Sequence, residues 1–450
     1  METTLRTPDR TRSSELLPEP QSVAETGLDY GLILDLVLKT IYYSGRPSAR
    51  FICGRVCLSF AIIEGALEYL RKEELTEIVG SSGMLEQDYQ YSLTSKGAAK
   101  VRELLEQNLY VGPAPVPFEL YQQVVARQSI ASLDPSPQKL EEAFHNLILD
   151  RETMDQIGTA LGSGRSVFLY GPPGNGKSTI AERMVGLLSE AIYIPYAFEY
   201  NGQIVRVHDP RTHIAADGAS ADDAAALGTG SIMNIATGRD MRWALSRRPL
   251  VIGGGELTLT DLELRYSPIS KYYVAPMQVK ANNGVLVIDD FGRQLLRPDE
   301  LLNRWMVPMD RQIDHLVFQT GETLTIPFDL LLVFATNLQP SQLGDEAFFR
   351  RIRHKIEVGD PDEEGFLRIM RMTCVANNIP YEEQAGRYII ERYYRPKGRN
   401  LRGVHPRDII DLLMDIASFR GIDPACTKEL LDLACQSYFI DDRVADFKMV

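Results

Sequence analysis

The sequence predicts an α/β fold, with a core built on a parallel sheet, a C-terminal helical lid, and a smaller unit of helices and a hairpin ahead of the core. Three observations predict it. A short apolar strand, Ser166 to Tyr170, runs directly into the glycine-rich stretch GPPGNGKST and on into a helix. Two further apolar stretches, GVLVIDD (Gly284 to Asp290) and LLLVFATN (Leu330 to Asn337), end in polar residues, as buried strands of a parallel sheet do. From Glu363 onward, apolar residues recur at helical spacing in four successive segments.

Composition sets the frame. A chain of 450 residues, 44% apolar and 24% charged, has the balance of a globular protein with more than one domain. No apolar run approaches the ~18–20 residues needed to cross a bilayer, and the polar start METTLRTPDRTRSS has no signal-like apolar stretch. A soluble, cytoplasmic protein without membrane insertion is expected. Five cysteines without a CxxC pair argue against a disulfide framework or a zinc ribbon. The net charge of −13 opposes sequence-independent attraction to nucleic acid or anionic lipid.

Residues 1–26 are rich in Thr, Ser, Pro and charge and read as a disordered tail. From Leu28 to Tyr43, Ile33, Leu36, Val37 and Ile41 mark a helix that Ser44-Gly45-Arg46-Pro47 ends. Two more helices are expected at Ser48 to Cys57 and Phe60 to Lys72. TEIVGSSGMLEQDYQYSLT then reads as two strands around a turn, and a helix follows with Ser95 as its cap. This order, closing on LTSKGAAKVRELL, resembles a winged helix-turn-helix over residues 27–110. The stretch holds nine basic against eleven acidic residues, with Glu64 and Glu68 on the presumed recognition helix. Contact with protein is therefore expected over contact with DNA. VGPAPVP, Val111 to Pro117, opens a linker placed at 111–137.

The α/β core is placed at 138–358. Gly171, Pro172, Pro173, Gly174, Asn175, Gly176, Lys177, Ser178 and Thr179 match GxxxxGK[ST] in full. Glycines let backbone N–H groups close around phosphate oxygens, the lysine reaches the β- and γ-phosphates, and the Ser178 hydroxyl suits Mg²⁺. ATP with Mg²⁺ is the expected ligand. At the end of GVLVIDD, Asp289 is assigned to Mg²⁺ and Asp290 to the attacking water. Asn337, ending the next strand, is placed to sense the γ-phosphate, or else is an ordinary turn-starting Asn. HLVFQTGETLTI ahead of that strand reads as a hairpin.

With these motifs, the stretch DEAFFRRI (Asp345 to Ile352) and GVHPRD (Gly403 to Asp408), the chain from Gln138 to Asp441 resembles the AAA+ ATPase superfamily. The hairpin resembles the pre-sensor 1 hairpin of the clade containing MoxR-type chaperones and RuvB-like motors. The resemblance implies an ATPase in a homo-oligomeric ring, a hexamer, with Arg350 or Arg351 reaching a neighbouring subunit's nucleotide and Arg407 acting as the sensor 2 arginine of the lid. One departure stands out: the family usually carries Asp-Glu where this chain has Asp289-Asp290, whose shorter second acid places water differently. Resemblance to bacterial ATPases with chaperone activity implies remodelling of a protein client. The rival is a DNA-directed motor or regulator using its winged helix.

The long separation of Lys177 and Asp289 leaves room for an insert near 195–260, with Asn201-Gly202 as a type I′ turn. Arg239, Arg242, Arg247 and Arg248 surround Trp243, as a solvated basic face or a client grip. His208, Asp209 and His213 fit no strong metal-binding spacing. The lid, 359–450, is expected to hold helices at Glu363 to Asn377, Glu382 to Tyr394, His405 to Arg420 and Pro424 to Phe439, the last capped by Asp423.

Overall fold

In the computed structural model, residues 17–130, 136–188, 190–216, 238–340 and 349–439 are described. Most of the expected tail, the start of DEAFFRRI and the end of the lid lie outside them. The N-terminal unit is helix α1 (Tyr30–Ser44), α2 (Ala49–Val56), α3 (Phe60–Lys72), the antiparallel pair β1 (Thr76–Ser81) and β2 (Tyr89–Leu93), and α4 (Ser95–Gln107). Asp29 caps α1 by accepting from the Gly31 N–H, Ser48 caps α2, and Thr94 caps α4, displacing Ser95 to the first helical position. Ile33, Leu36, Val37 and Ile41 are fully buried, as the helical spacing requires.

The stretch expected to be a linker is instead built into the fold. Ala114 and Val116 are buried, the Ala114 N–H donates to the Val56 carbonyl, and β3 (Val116–Pro117) pairs in parallel with the strand Ala197–Tyr200 (β6). Prolines are tolerated there because β3 lies at a sheet edge, where a missing donor costs least. It continues into α5 (Phe118–Arg127), followed by α6 (Pro137–Phe144) and α7 (Arg151–Ser163).

The principal sheet has the order β16 (His354–Glu357), β4 (Val167–Tyr170), β15 (Leu331–Thr336), β12 (Val285–Ile288), β9 (Leu250–Gly253), with every pair parallel. Alternate residues feed opposite faces. Val167, Leu169, Val285, Val287 and Val333 pack with Ile157, Ile180 and Met184 on one side, from α7 and from α8 (Lys177–Leu187). Phe168, Leu286, Ile288 and Phe334 pack on the other with Phe291 and with Leu301 and Trp305 of α9 (Pro298–Arg311). All five strands point their C-terminal ends to one edge, where ligands bind in open α/β sheets. The expected hairpin is β13 (Ile313–Val317) with β14 (Thr323–Pro327).

The insert forms a second five-stranded sheet, ordered β10 (Arg265–Ser267), β11 (Tyr272–Val274), β7 (Gln203–Arg206), β6 (Ala197–Tyr200), β3. Asn201 and Gly202 both have positive φ, as a type I′ turn needs. Beside it β5 (Ile192–Pro195) pairs with β8 (Trp243–Ser246). The expected basic face is largely interior: Arg239, Arg242 and Arg248 are buried, and only Arg247 of the four is exposed. Guanidinium groups reach several carbonyls at once, which makes their burial tolerable. Arg242 pairs with Asp240 at 2.8 Å and donates to the Thr26 and Pro115 carbonyls, while Arg248 donates to those of Gln128 and Asn283.

The C-terminal region holds α10 (Glu363–Ala376), α11 (Glu383–Ile389) running into a π turn at Ile390–Tyr394, α12 (His405–Arg420) and α13 (Lys428–Tyr438). The last begins later than Asp423-Pro424 suggests, because Thr427 supplies the cap by accepting from the Leu430 N–H. The expected class, α/β with a parallel sheet and a C-terminal helical region, is the one observed. Among the described residues no helix is long and apolar enough to cross a membrane.

Candidate functional site

The site is assembled at the C-terminal edge of the principal sheet. Strand β4 ends at Tyr170, and the loop to α8 turns back through Gly171, Gly174 and Gly176, all with positive φ. Side chains have no room at two of these glycines. A Cβ on Gly171 would collide with the Val358 carbonyl, and one on Gly174 would come within 2.5 Å of Val404 Cγ1. Gly176 caps α8 in the left-handed region, so Lys177 stands at the first helical position with Ser178 and Thr179 in the opening turn.

Lys177 is buried, and its ammonium donates to the loop's own carbonyls, Gly171 at 2.9 Å and Pro172 at 2.7 Å. Burial pulls its pKa below the ordinary lysine value, and the negative charges of Asp289 and Asp290 oppose that pull. The loop therefore holds one desolvated cation beside a turn of three positive-φ glycines at the start of a helix, an arrangement that fits a polyphosphate.

Asp289 and Asp290 follow β12, two strands away from β4, with β15 between them and Asn337 directly after β15. The Asp289 N–H donates to the Gly253 carbonyl and Gln294 Nε2 donates to the Asp289 carbonyl, which fixes the turn. Asp290 has φ +49°, and its carboxylate accepts from Asn337 Nδ2 at 3.2 Å. The side-chain contact joins the second acid to the strand-ending Asn in one unit. An Asp tolerates this left-handed backbone better than most residues, because its short polar side chain bonds locally.

Sequence reasoning missed the latch on the other side of the loop. Asn175, an unspecified position in the motif, donates from Nδ2 to the Gly359 carbonyl at 2.9 Å and to Asp360 Oδ1 at 2.8 Å, while its Oδ1 accepts from the Gly403 N–H at 2.9 Å. Arg402 Nη1 approaches the Pro173 carbonyl at 3.4 Å, and Arg402 Nε lies 3.6 Å from Asp360. Val404 completes the contact against Gly174. Arg407 sits exposed in the first turn of α12, so the touch between helical region and loop runs through residues 402–404. The nearest sequence signal was GVHPRD itself, read for its arginine and not for its backbone.

Arg350 and Arg351 lie at the other end of the sheet. They precede β16, whose first residue is level with the start of β4, and so they stand beyond the N-terminal edge, away from the loop at the end of β4. Arg350 is exposed and Arg351 pairs with Asp310 at 2.9 Å. Both line a cavity of about 510 Å³ together with Arg165, Arg353 and Lys355. Of the insert histidines, His213 is tied to backbone: Nδ1 accepts from the Asp209 N–H, and Nε2 meets the Lys280 carbonyl at 2.8 Å, while the His208 ring lies against those of Tyr196 and His213.

Residues 362–437 match the family model described as a domain of unknown function, DUF8689. No curated protein matches. Among solved structures, the chain is similar to the RuvB Holliday junction branch migration motor of Thermotoga maritima at 15% identity, over 65% of this chain and 70% of that one, with a TM-score of 0.36. It is also similar to NtrX from Brucella abortus in complex with ATP, at 16% identity over 73% of this chain and 64% of that one, with a TM-score of 0.37.

Proposed function

We propose that the chain is an AAA+ ATPase that binds ATP with Mg²⁺ in the loop from Gly171 to Thr179 and couples its hydrolysis to remodelling of a protein client. The observation that carries this reading is the buried Lys177, held under three positive-φ glycines beside the joined pair Asp290 and Asn337. On ATP arrival Lys177 exchanges two loop carbonyls for phosphate oxygens, a stronger charge-assisted partner. Ser178 and Asp289 are the residues that would hold Mg²⁺, which neutralises charge on the phosphate oxygens. Asp290 orients and accepts a proton from the attacking water, and Asn337 fixes the rotamer from which it does so. Arg402 and Asn175 hold the helical region down on the loop and exclude water from the phosphates.

A homo-oligomeric ring is part of the proposal. Arg350 and Arg351 stand at the sheet edge opposite their own loop, a position from which they serve a neighbouring subunit's nucleotide. The protein client is favoured over DNA because Glu64 and Glu68 are exposed on α3, and Glu86 approaches Glu64 closely enough to raise its pKa.

Two variants test the reading. Lys177→Ala is expected to weaken ATP binding by about 100-fold or more, since a buried charge partner is lost. Asp290→Asn is expected to bind ATP normally while phosphate release falls about 100-fold. Titration with a fluorescent ATP analogue and a phosphate-release assay measure both. Unchanged affinity in Lys177→Ala overturns the assignment.

A further inference from the structure

All five cysteines lie among the described residues, and four are buried: Cys53, Cys57, Cys374 and Cys435. Cys426, in the turn ahead of α13, is partly exposed. Its sulfur lies 3.6 Å from that of Cys374, which sits fully buried on α10. A disulfide requires about 2.05 Å, so the two sulfurs must approach by roughly 1.5 Å to bond. The two thiols share a hydrogen bond, and that contact lowers the Cys426 pKa and raises that of Cys374. Cys426 is the member of the pair that solvent reaches, so it is the one placed to meet a solute oxidant, and the fully buried Cys374 stands behind it as the resolving partner.

We propose that Cys374 and Cys426 form a reversible redox site, converted to a disulfide by a hydroperoxide and restored by a dithiol. In the first step the Cys426 thiolate attacks a peroxide oxygen. The S–O bond forms, the O–O bond breaks, and the leaving oxygen departs as hydroxide and is protonated to water. Cys426 is then a sulfenic acid. In the second step the Cys374 sulfur attacks Cys426, gives up its proton, and displaces the hydroxyl as a second water. Two thiols are oxidised, and one hydrogen peroxide is reduced to two waters.

The bond closes a stretch of chain that contains α11, α12 and, between them, Arg402, Gly403 and Val404. Oxidation therefore tethers both ends of the segment that touches the phosphate-binding loop. The chemistry itself does not depend on nucleotide, so it is tested separately from the proposed function.

The test uses the full-length reduced protein, titrated with hydrogen peroxide, denatured, alkylated and read by peptide mass spectrometry. A linked peptide pair carrying Cys374 and Cys426 is expected, forming at least tenfold faster than Cys53, Cys57 and Cys435 are lost to alkylation, and disappearing with dithiothreitol. C426S, altered at the partly exposed position, is expected to form no link and to leave Cys374 reduced. C374A is expected to stop at a Cys426 sulfenic acid that a dimedone probe captures. Absence of the linked pair in the wild-type protein, or loss of all five thiols at one rate, overturns the proposal.

Discussion

Asn175 Oδ1 accepts a hydrogen bond from the Gly403 N–H at 2.9 Å, joining the glycine-rich loop to the start of the segment that leads into α12. The same amide donates to Gly359 and Asp360, so one side chain ties together the loop, the end of β16 and the helical region. Replacing Asn175 with Ala removes all three bonds without touching Lys177. Each such bond contributes ~0.5–1.5 kcal/mol. ATP affinity is expected to fall about tenfold, and proteolysis between residues 395 and 404 to accelerate, in the Asn175→Ala protein. Equilibrium nucleotide titration and limited trypsin digestion measure the two effects.

Arg402 and Arg407 make opposite demands on the same segment. Arg402 approaches the Pro173 carbonyl and Asp360, whereas Arg407 faces outward. Arg402→Ala is expected to weaken ATP binding about tenfold. Arg407→Ala is expected to leave affinity within about twofold. Competition binding with both variants decides between them, and a larger loss in Arg407→Ala supports the role implied by resemblance.

Arg350 and Arg351 provide a complementation experiment. A doubly substituted Arg350→Ala, Arg351→Ala protein is expected to bind ATP with unchanged affinity and to hydrolyse it at least ~10-fold more slowly. Mixing it with Lys177→Ala protein pairs an intact loop from one subunit with intact arginines from another. Partial recovery of phosphate release is expected. No recovery, with a monomer by light scattering under ATP, counts against a shared site.

Acid should act through His213. Burial holds its pKa at about 4, below the ordinary value of 6.5, and Nδ1 accepts from the Asp209 N–H, which requires an unprotonated nitrogen. The unfolded chain binds this proton first. The stabilisation is therefore complete above pH 6.5 and declines as pH falls toward 4, by on the order of 2 kcal/mol at pH 5. Urea midpoints measured at pH 7 and pH 5 should drop in the wild-type protein and drop less in His213→Gln.

The parts of the fold and site that could be read from sequence were those set by local rules. The glycine-rich run, the apolar strands just ahead of Asp290 and Asn337, and the Asn201-Gly202 turn follow from steric and hydrogen-bonding demands over a few residues. What could not be read depends on partners far along the chain. Arg242 reads as a surface charge until Asp240, Thr26 and Pro115 surround it, and Val111 to Pro117 reads as a linker until β6 arrives to pair with it. Asn175 was visible only as a wildcard because all three of its partners lie more than 180 positions away.

The core beneath α1 to α4 is closed by Ala197 and Ile204, from strands β6 and β7. During synthesis the N-terminal helices leave the ribosome well before these strands exist. At ~5–20 residues per second, the wait lasts on the order of ten seconds. Through that interval an apolar face stays open to solvent and to other nascent chains. Yield in a cell should therefore depend on translation speed between Gln107 and Ile204, so that synonymous codon changes in that stretch alter how much protein is recovered folded while leaving the finished molecule identical.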